Sequence, residues 1–366
     1  MKRPLYLSFS LTAALLLIVP LINLMQLPLA HQGVKWWKQK FLYNMDFAHQ
    51  IISEAIYPLG LSIDPGRVII GKEDWLYLGD HFEQSISSKR TAATAHDVKT
   101  FSKIAESADA WGRWLKLKGV TEFRILIGPD KDSVYPEYLP DWASHSPTRP
   151  THDLMPDRRA GIYIDPTAAL RKAKDDALEP LYYRTDTHWN ALGAWIAFNE
   201  LRKSMASTQP SLLWPKSNEK IIASTFERPG GDLANFLRIQ NTLSDKELIL
   251  TLHKEYELPV EQYDFNSGAL TLSGLNIGVA PSMTPIQIKS PKALNKTKVL
   301  WLRDSFGSAM SPLIAATFSD VVQMHFLALE PQSLGDLVER YRPDIVIITS
   351  VERDTRNAFF QSLPPE

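Results

Sequence analysis

Residues 298–308 read Lys-Val-Leu-Trp-Leu-Arg-Asp-Ser-Phe-Gly-Ser. The apolar run 298–302 has the length and β-branched or aromatic content of a short buried strand. Asp304 and Ser305 follow it at once, then a helical pattern over about 306–317. A serine at such a turn projects from the carboxyl edge of a sheet, where open α/β folds hold their ligands. Its backbone N–H and those after it can bind a developing oxyanion. Asp304 or Ser305 as a plain helix cap explains the same residues.

Working outward, Val321–Leu327 and Asp344–Thr349 are further apolar strands, with a helix at about 333–340 between them. Upstream, Phe123–Gly128 reads as a buried strand. Before it, Val98, Phe101, Ile104, Ala108, Trp111, Trp114 and Leu115 fall at helical spacing over 97–118. Helices are expected at 166–176 and 191–204, and a hairpin at 67–78 around Gly71-Lys-Glu-Asp74. Strands alternating with helices predict a three-layer α/β domain with a mainly parallel sheet. The stretch 205–297 breaks that alternation. Its short runs, Glu247–Leu252 and Ala269–Leu272, predict a β-containing insertion. The expected organisation is a segment 1–30, an amphipathic linker or helix over 31–66, and one domain over 67–366.

The second motif is Tyr183-Arg-Thr-Asp186-Thr-His188-Trp189-Asn190, just ahead of the helix at 191. In an extended segment, side chains two apart share a side. Asp186 can then fix the tautomer of His188 and stabilise its imidazolium, as a general base requires. A helix cap at Asp186 or Asn190 beside an incidental histidine is the alternative.

Composition narrows the classes. The chain has 366 residues, no cysteine, 40 basic and 41 acidic side chains. Thiolate metal sites, disulfides and cysteine nucleophiles are excluded, and the balance is not that of a nucleic-acid binder. Residues 5–30 carry no charged side chain, and Lys2 and Arg3 precede them. That length spans a bilayer core as a helix, and the expectation is an uncleaved anchor with a cytoplasmic N-terminus; a cleaved signal peptide is the alternative. The rest is expected in the periplasm, on the outer side of a bacterial inner membrane. Trp36 and Trp37 suit an interfacial belt or the start of a packed helix over 33–57. Removing Lys2 and Arg3 from the 40 basic residues leaves 38 against 41 acidic, a formal −3. An anionic substrate would need a local basic patch.

Together, Asp186-Thr-His-Trp189 and Asp304-Ser-Phe-Gly307 resemble the SGNH-hydrolase-like domain of the AlgX/AlgJ-type alginate O-acetyltransferases. Gly71-Lys-Glu-Asp-Trp-Leu-Tyr-Leu78, Pro129-Asp-Lys131 with Tyr135-Pro-Glu-Tyr-Leu-Pro140, Gly231-Asp-Leu-Ala234, and Pro343-Asp-Ile-Val-Ile-Ile348 with Glu352-Arg353 are similar to that family in the same order. The resemblance implies Ser305 as nucleophile, His188 as base and Asp186 as its orienting partner. It implies acetyl transfer to an exported polysaccharide and a membrane-bound O-acyltransferase as acetyl supplier. The chain departs from the ordinary GDSL motif in having Arg303 where that motif has glycine. Little sequence follows Arg353, so a C-terminal carbohydrate-binding module is not expected, an arrangement like the AlgJ type. A carbohydrate acetylesterase and a non-catalytic polysaccharide-binding scaffold are the rival readings.

Lys131, Tyr135 and Arg353 are candidate substrate-binding residues, although a solvated lysine or an ordinary ion pair explains Lys131 and Arg353 equally. Trp75, Trp142 and Trp189 suit sugar stacking or core packing. No cofactor motif is read, since Gly230-Gly231 lacks the rest of a phosphate loop. No metal is expected; Asp186 and His188 with a distant His253 form the one alternative ligand set weighed.

Overall fold

The computed structural model describes residues 12, 16–25, 35, 37–146, 161–216, 221–252, 258–275 and 278–365. The centre of its main sheet forms from segments that are apolar on both sides. The strands are β1 (Val68–Ile70), β2 (Leu76–Leu78), β3 (Glu122–Gly128), β4 (Tyr163–Ile164), β5 (Ile222–Pro229), β6 (Ser244–Leu250), β7 (Pro259–Asp264), β8 (Leu270–Leu275), β9 (Ile286–Lys289), β10 (Asn295–Arg303), β11 (Phe318–Met324) and β12 (Ile345–Val351). Eight of them make one sheet in the order β4-β3-β12-β10-β11-β9-β7-β8.

The central strands show why continuous apolar runs are needed. Val299 and Trp301 of β10, and Ile345 and Ile347 of β12, enter the core on one face. Leu300 and Leu302, with Val346 and Ile348, enter the core on the other. With period-two alternation and both faces covered, every position must be apolar. Helices α1 (Ala95–Leu117) and α4 (Pro331–Tyr341) cover one face. Helices α2 (Ala191–Ala206) and α3 (Ser311–Thr317) cover the other. The layers are therefore those of the expected three-layer α/β domain. α1 starts at a capping box between Thr94 and Asp97, which satisfies two otherwise free backbone donors.

The sheet is mixed: five of its eight strands are parallel, as expected of its larger part, and three extend it antiparallel. β4, β3, β12, β10 and β11 run parallel; β9, β7 and β8 extend them antiparallel. Three strands within 205–297 thus belong to the main sheet, while β5 and β6 pair only with each other. β8 is exposed along its whole length, so the run at 269–272 marks a strand without saying which sheet it joins.

The hairpin at 67–78 has the expected ends, with Val68 opposite Leu78. The turn after β10 is a 3₁₀ segment, Ser305–Met310, before α3 continues. Over 33–57 the chain makes two helices, Gln39–Leu42 and Asp46–Ile56, rather than one; Trp36 lies outside the described residues. The expected membrane anchor at 1–30 also falls mostly outside them. Residues 16–25 are helical, enough for ~15 Å, about half a bilayer core. Among the described residues, no helix is long and apolar enough to cross a membrane.

Candidate functional site

Two loops meet at the carboxyl edge of the parallel strands. After β10, Asp304 uses both carboxylate oxygens: Oδ1 accepts from the Phe306 N–H at 2.9 Å and Oδ2 from the Val351 N–H at 2.6 Å. The cap therefore ties the serine turn to the end of β12. Arg303 is 0 % exposed and clamps the turn from below. Its Nη1 donates to the Asp304 carbonyl and Ser308 Oγ, both at 3.2 Å, and its other nitrogens to Gln323 Oε1 and the Val279 carbonyl. Burial pushes its guanidinium down to about 10, against the pull of Asp304. This is what replaces the glycine of the ordinary motif.

The second loop, Tyr183–His188, is closed by a bridge between Tyr182 and Trp189. It is not helical, so Asp186 and His188 point the same way. Asp186 Oδ1 accepts from the His188 backbone N–H at 3.1 Å and lies 2.6 Å from His188 Nδ1. A carboxylate only accepts, so Nδ1 carries the proton and Nε2 is the free acceptor. Nε2 is 2.8 Å from Ser305 Oγ. Burial would raise the Asp186 carboxyl, but the bonds and charge of His188 and the charge of Arg228 bring it well below the usual range. Burial would lower His188, and the bond and charge of Asp186 outweigh that and raise it. Trp189 Nε1 donates to the Phe306 carbonyl at 2.9 Å, joining the two loops directly.

The histidine loop hangs from side chains. Lys131 is 4 % exposed. Its Nζ donates to the carbonyls of Tyr183, Arg184 and Asp186 at 3.0, 2.9 and 2.8 Å, between the rings of Trp75 and Tyr77. Burial pushes it down to about 8 despite the nearby carboxylates. Asp245 of β6 accepts from the N–H groups of Arg184 and Thr185. Thr185 Oγ1 in turn accepts from the Gly231 N–H at 2.8 Å. Asp232 accepts from Thr187 N–H and Oγ1 at 2.8 and 2.6 Å, and its own N–H reaches Asp186 Oδ2 at 3.3 Å. A Cβ on Gly231 would lie 2.3 Å from that of Asp186, so only glycine allows this approach.

These contacts change the reading of several candidates. Lys131 and Tyr135 were expected at substrate; both are buried. Lys131 spends its donors on the loop, and the Tyr135 hydroxyl accepts from the Leu181 N–H at 2.9 Å. The physical reason is their aromatic cage: Trp75 stacks on Tyr135 at 4.5 Å and covers them. Arg353 pairs with Asp130 and lies 5.8 Å over the Phe306 ring. Glu352 is buried, with Oε2 accepting from the Asp130 N–H at 3.0 Å and from Ser133 Oγ at 2.5 Å. Trp75 and Trp189 are core residues, while Trp142 is exposed with Arg90 over its ring. Asp232, Asp245 and Arg228 escaped the sequence reading; the Gly231-Asp232 pair was the one available signal.

One ligand atom each from Asp186, His188 and Asp232 lies within 4.8 Å of the others. The Nδ1 and carboxylate atoms concerned are already used in the hydrogen bonds above. His253 lies outside the described residues. Ser305, His188 and Asp186 open on a cleft of about 380 Å³, walled by Tyr183, Arg228, Glu247 and Pro312, within the range of small-ligand pockets.

Geometry and sequence comparison converge. The description "SGNH hydrolase-like domain, acetyltransferase AlgX" matches residues 68–265, just over half of the chain. The chain therefore belongs to this family. It is 28 % identical over 189 residues to the "Probable alginate O-acetylase AlgJ" of Pseudomonas syringae pv. tomato, over 50 % of this chain and 44 % of that one. The match thus spans less than half the length of that curated relative. Among solved structures, Bacillus cereus PatB1 superposes with a TM-score of 0.57 at 14 % identity, covering 80 % of this chain and 98 % of the other. A DHHW family protein from Eubacterium siraeum gives 0.53 at 16 % identity, covering 84 % and 98 %. These two likenesses concern the fold.

Proposed function

We propose that the chain is an O-acetyltransferase that acetylates hydroxyls of an exported polysaccharide through an acetyl-Ser305 intermediate. The observation that carries this is the unbroken line from Asp186 through His188 to Ser305, with spacings of 2.6 and 2.8 Å. In this reading, Ser305 Oγ attacks the acetyl carbonyl of a donor ester while its proton passes to His188 Nε2. The imidazolium, held by Asp186, returns that proton to the leaving oxygen of the donor. A sugar hydroxyl then gives its proton to Nε2 and attacks acetyl-Ser305, and Ser305 recovers the proton as the sugar ester departs. The Ser305 N–H, at the head of the 3₁₀ turn, is the proposed donor to the oxyanion.

The relative's name, an alginate O-acetylase, supports acetyl transfer to a polymer. A domain acting outside the cytoplasm needs its acetyl group passed across the membrane, so the proposed supplier is a membrane-bound O-acyltransferase. The proposed location is the periplasmic face of the inner membrane, held by residues 1–30.

The test uses an acetylated chromogenic ester with and without an oligosaccharide acceptor. The expected result is acetylated sugar from the native chain. Ser305→Ala is expected to remain folded and lose activity by several orders of magnitude. A serine-directed sulfonyl fluoride is expected to label Ser305. Acetate alone, whatever the acceptor, makes the chain an esterase; label on another serine removes the assignment.

A further inference from the structure

We propose that Asp232 is a second carboxylate for His188, a positioning residue that acts on the imidazole through the Thr187 hydroxyl. This role rests on the acetyltransferase reading for what His188 does, and it adds a residue to the line from Asp186 to Ser305.

Thr187 has two donors, and both go to Asp232. Its backbone N–H reaches Asp232 Oδ1 at 2.8 Å, which is enough to hold the loop. Its hydroxyl makes a second bond, to Asp232 Oδ2 at 2.6 Å. With its proton committed there, Thr187 Oγ1 keeps its lone pairs for His188 Nδ1, 3.2 Å away. Nδ1 lies 2.6 Å from Asp186 Oδ1, so its proton is shared between one carboxylate and a hydroxyl polarised by another. Asp232 Oδ2 itself is 3.8 Å from Nδ1, too far for a hydrogen bond and near enough for charge to act directly.

Asp232 is placed from outside the histidine loop. It opens the short helix Asp232–Phe236, whose Leu233 and Ala234 are buried with Val68 and Leu76 of the 67–78 hairpin. Its carboxylate stands near that of Asp186, and two like charges side by side disfavour one another unless a cation joins them. The His188 imidazolium is that cation during turnover. Burial and Asp186 raise the Asp232 carboxyl, against His188 and the two Thr187 bonds. Burial lowers His188, Asp186 and then Asp232 raise it, and Arg353 works against a positive ring. The remaining charges nearby are engaged elsewhere. Arg228 lies 3.3 Å from Glu247 and 3.9 Å from Asp186, and Asp304 uses both oxygens on the N–H groups of Phe306 and Val351. Holding the loop takes only the Thr187 N–H bond. The hydroxyl bond and the 3.8 Å approach are what a partner for the imidazolium requires.

The experiment titrates His188 in the full chain by NMR of its ring nitrogens, with His188→Ala identifying its signals. In Asp232→Asn and in Thr187→Val, His188 is expected to titrate at lower pH than in the native chain. Thr187→Val keeps the N–H bond that holds the loop and removes only the hydroxyl. Thr187→Ser is expected to restore the native titration. Turnover is expected to fall about tenfold in Asp232→Asn and Thr187→Val, with KM within about twofold and the acid limb displaced to lower pH. Titration curves that coincide with the native one in both variants overturn the proposal, and so does a Thr187→Ser as impaired as Thr187→Val. If Asp232→Asn does not fold, the two Thr187 variants decide. A native chain without acetyl transfer removes the proposed activity, and the titration still decides the role of Asp232. A chain that transfers acetyl groups with an unmoved His188 in these variants removes the Asp232 proposal alone.

Discussion

The serine turn and the histidine loop meet at two hydrogen bonds, His188 to Ser305 and Trp189 to Phe306, but they are held by different physics. The serine turn grows out of the central strand of a sheet covered on both faces. Its position follows from backbone pairing on each side of β10, from the Asp304 cap and from the Arg303 clamp. The histidine loop has one isolated bridge and otherwise no ladder. Its carbonyls and N–H groups must find partners somewhere, since buried backbone polar groups are rarely left alone. They find them in Lys131, Asp245 and Asp232. A loop pinned by buried charges is high-stakes, because each lost partner strands another polar group in a medium of low dielectric. The serine half should therefore tolerate changes that the histidine half does not.

The largest effect that separates the halves is expected at Asp186. Asp186→Asn keeps a capping side chain but removes the charge that holds the Nδ1 proton. A turnover loss of about a hundredfold or more is expected, with the melting temperature nearly unchanged. The pH profile gives the sign. His188 is raised in the fold, and its protonated form cannot accept from Ser305. Turnover should therefore fall as pH drops through a value above the ordinary histidine range near ~6.5. In Asp186→Asn that acid limb should move to lower pH. A variant within threefold of the native rate, with an unmoved limb, would mean that Asp186 is only a cap.

Next is Lys131→Met, which leaves three buried carbonyls without their shared donor. A loss of about 2–4 kcal/mol is expected in denaturant unfolding, with reduced turnover, although Lys131 does not face the cleft. The native chain has its own signature here. Its lysine is depressed to about 8 in the fold, against ~10.4 unfolded. Between those values the unfolded state binds the extra proton, so native stability should rise with pH relative to Lys131→Met. A flat difference across pH 8 to 10 would contradict the buried position of the ammonium.

The smallest effect is expected far from both halves, on the exposed edge strand. Leu272→Ser on β8 should change stability by about 0.5 kcal/mol or less. Leu300→Ala, in the central strand, should cost about 2–5 kcal/mol.

That contrast also explains what was legible in the sequence. Strands β3, β10, β11 and β12 were readable because burial on both faces forces largely apolar runs. The antiparallel extension was not, because β8 is solvent-facing throughout and no local pattern says which strand β9 will join. In the site, Ser305 was visible from its place between strand and helix, and Asp186 with His188 from their spacing. The role of the loop's supports was not legible: Gly231-Asp232 stood out only through the family resemblance, and Asp245 comes from an element far along the chain. Lys131 and Tyr135 stand out in the sequence as candidates for substrate binding. A polar residue beside a cleft and one beneath it look alike until the aromatic cage of Trp75 and Tyr77 is in place.

The most direct measurement follows the acetyl group itself. The native chain is mixed with an acetyl ester, quenched, digested and mapped by mass spectrometry, before and after an oligosaccharide acceptor is added. The account predicts one acetyl group on the Ser305 peptide, absent in His188→Ala, and its discharge onto sugar when the acceptor arrives. An acetyl group on another residue, or one on Ser305 that the acceptor does not discharge, would contradict it.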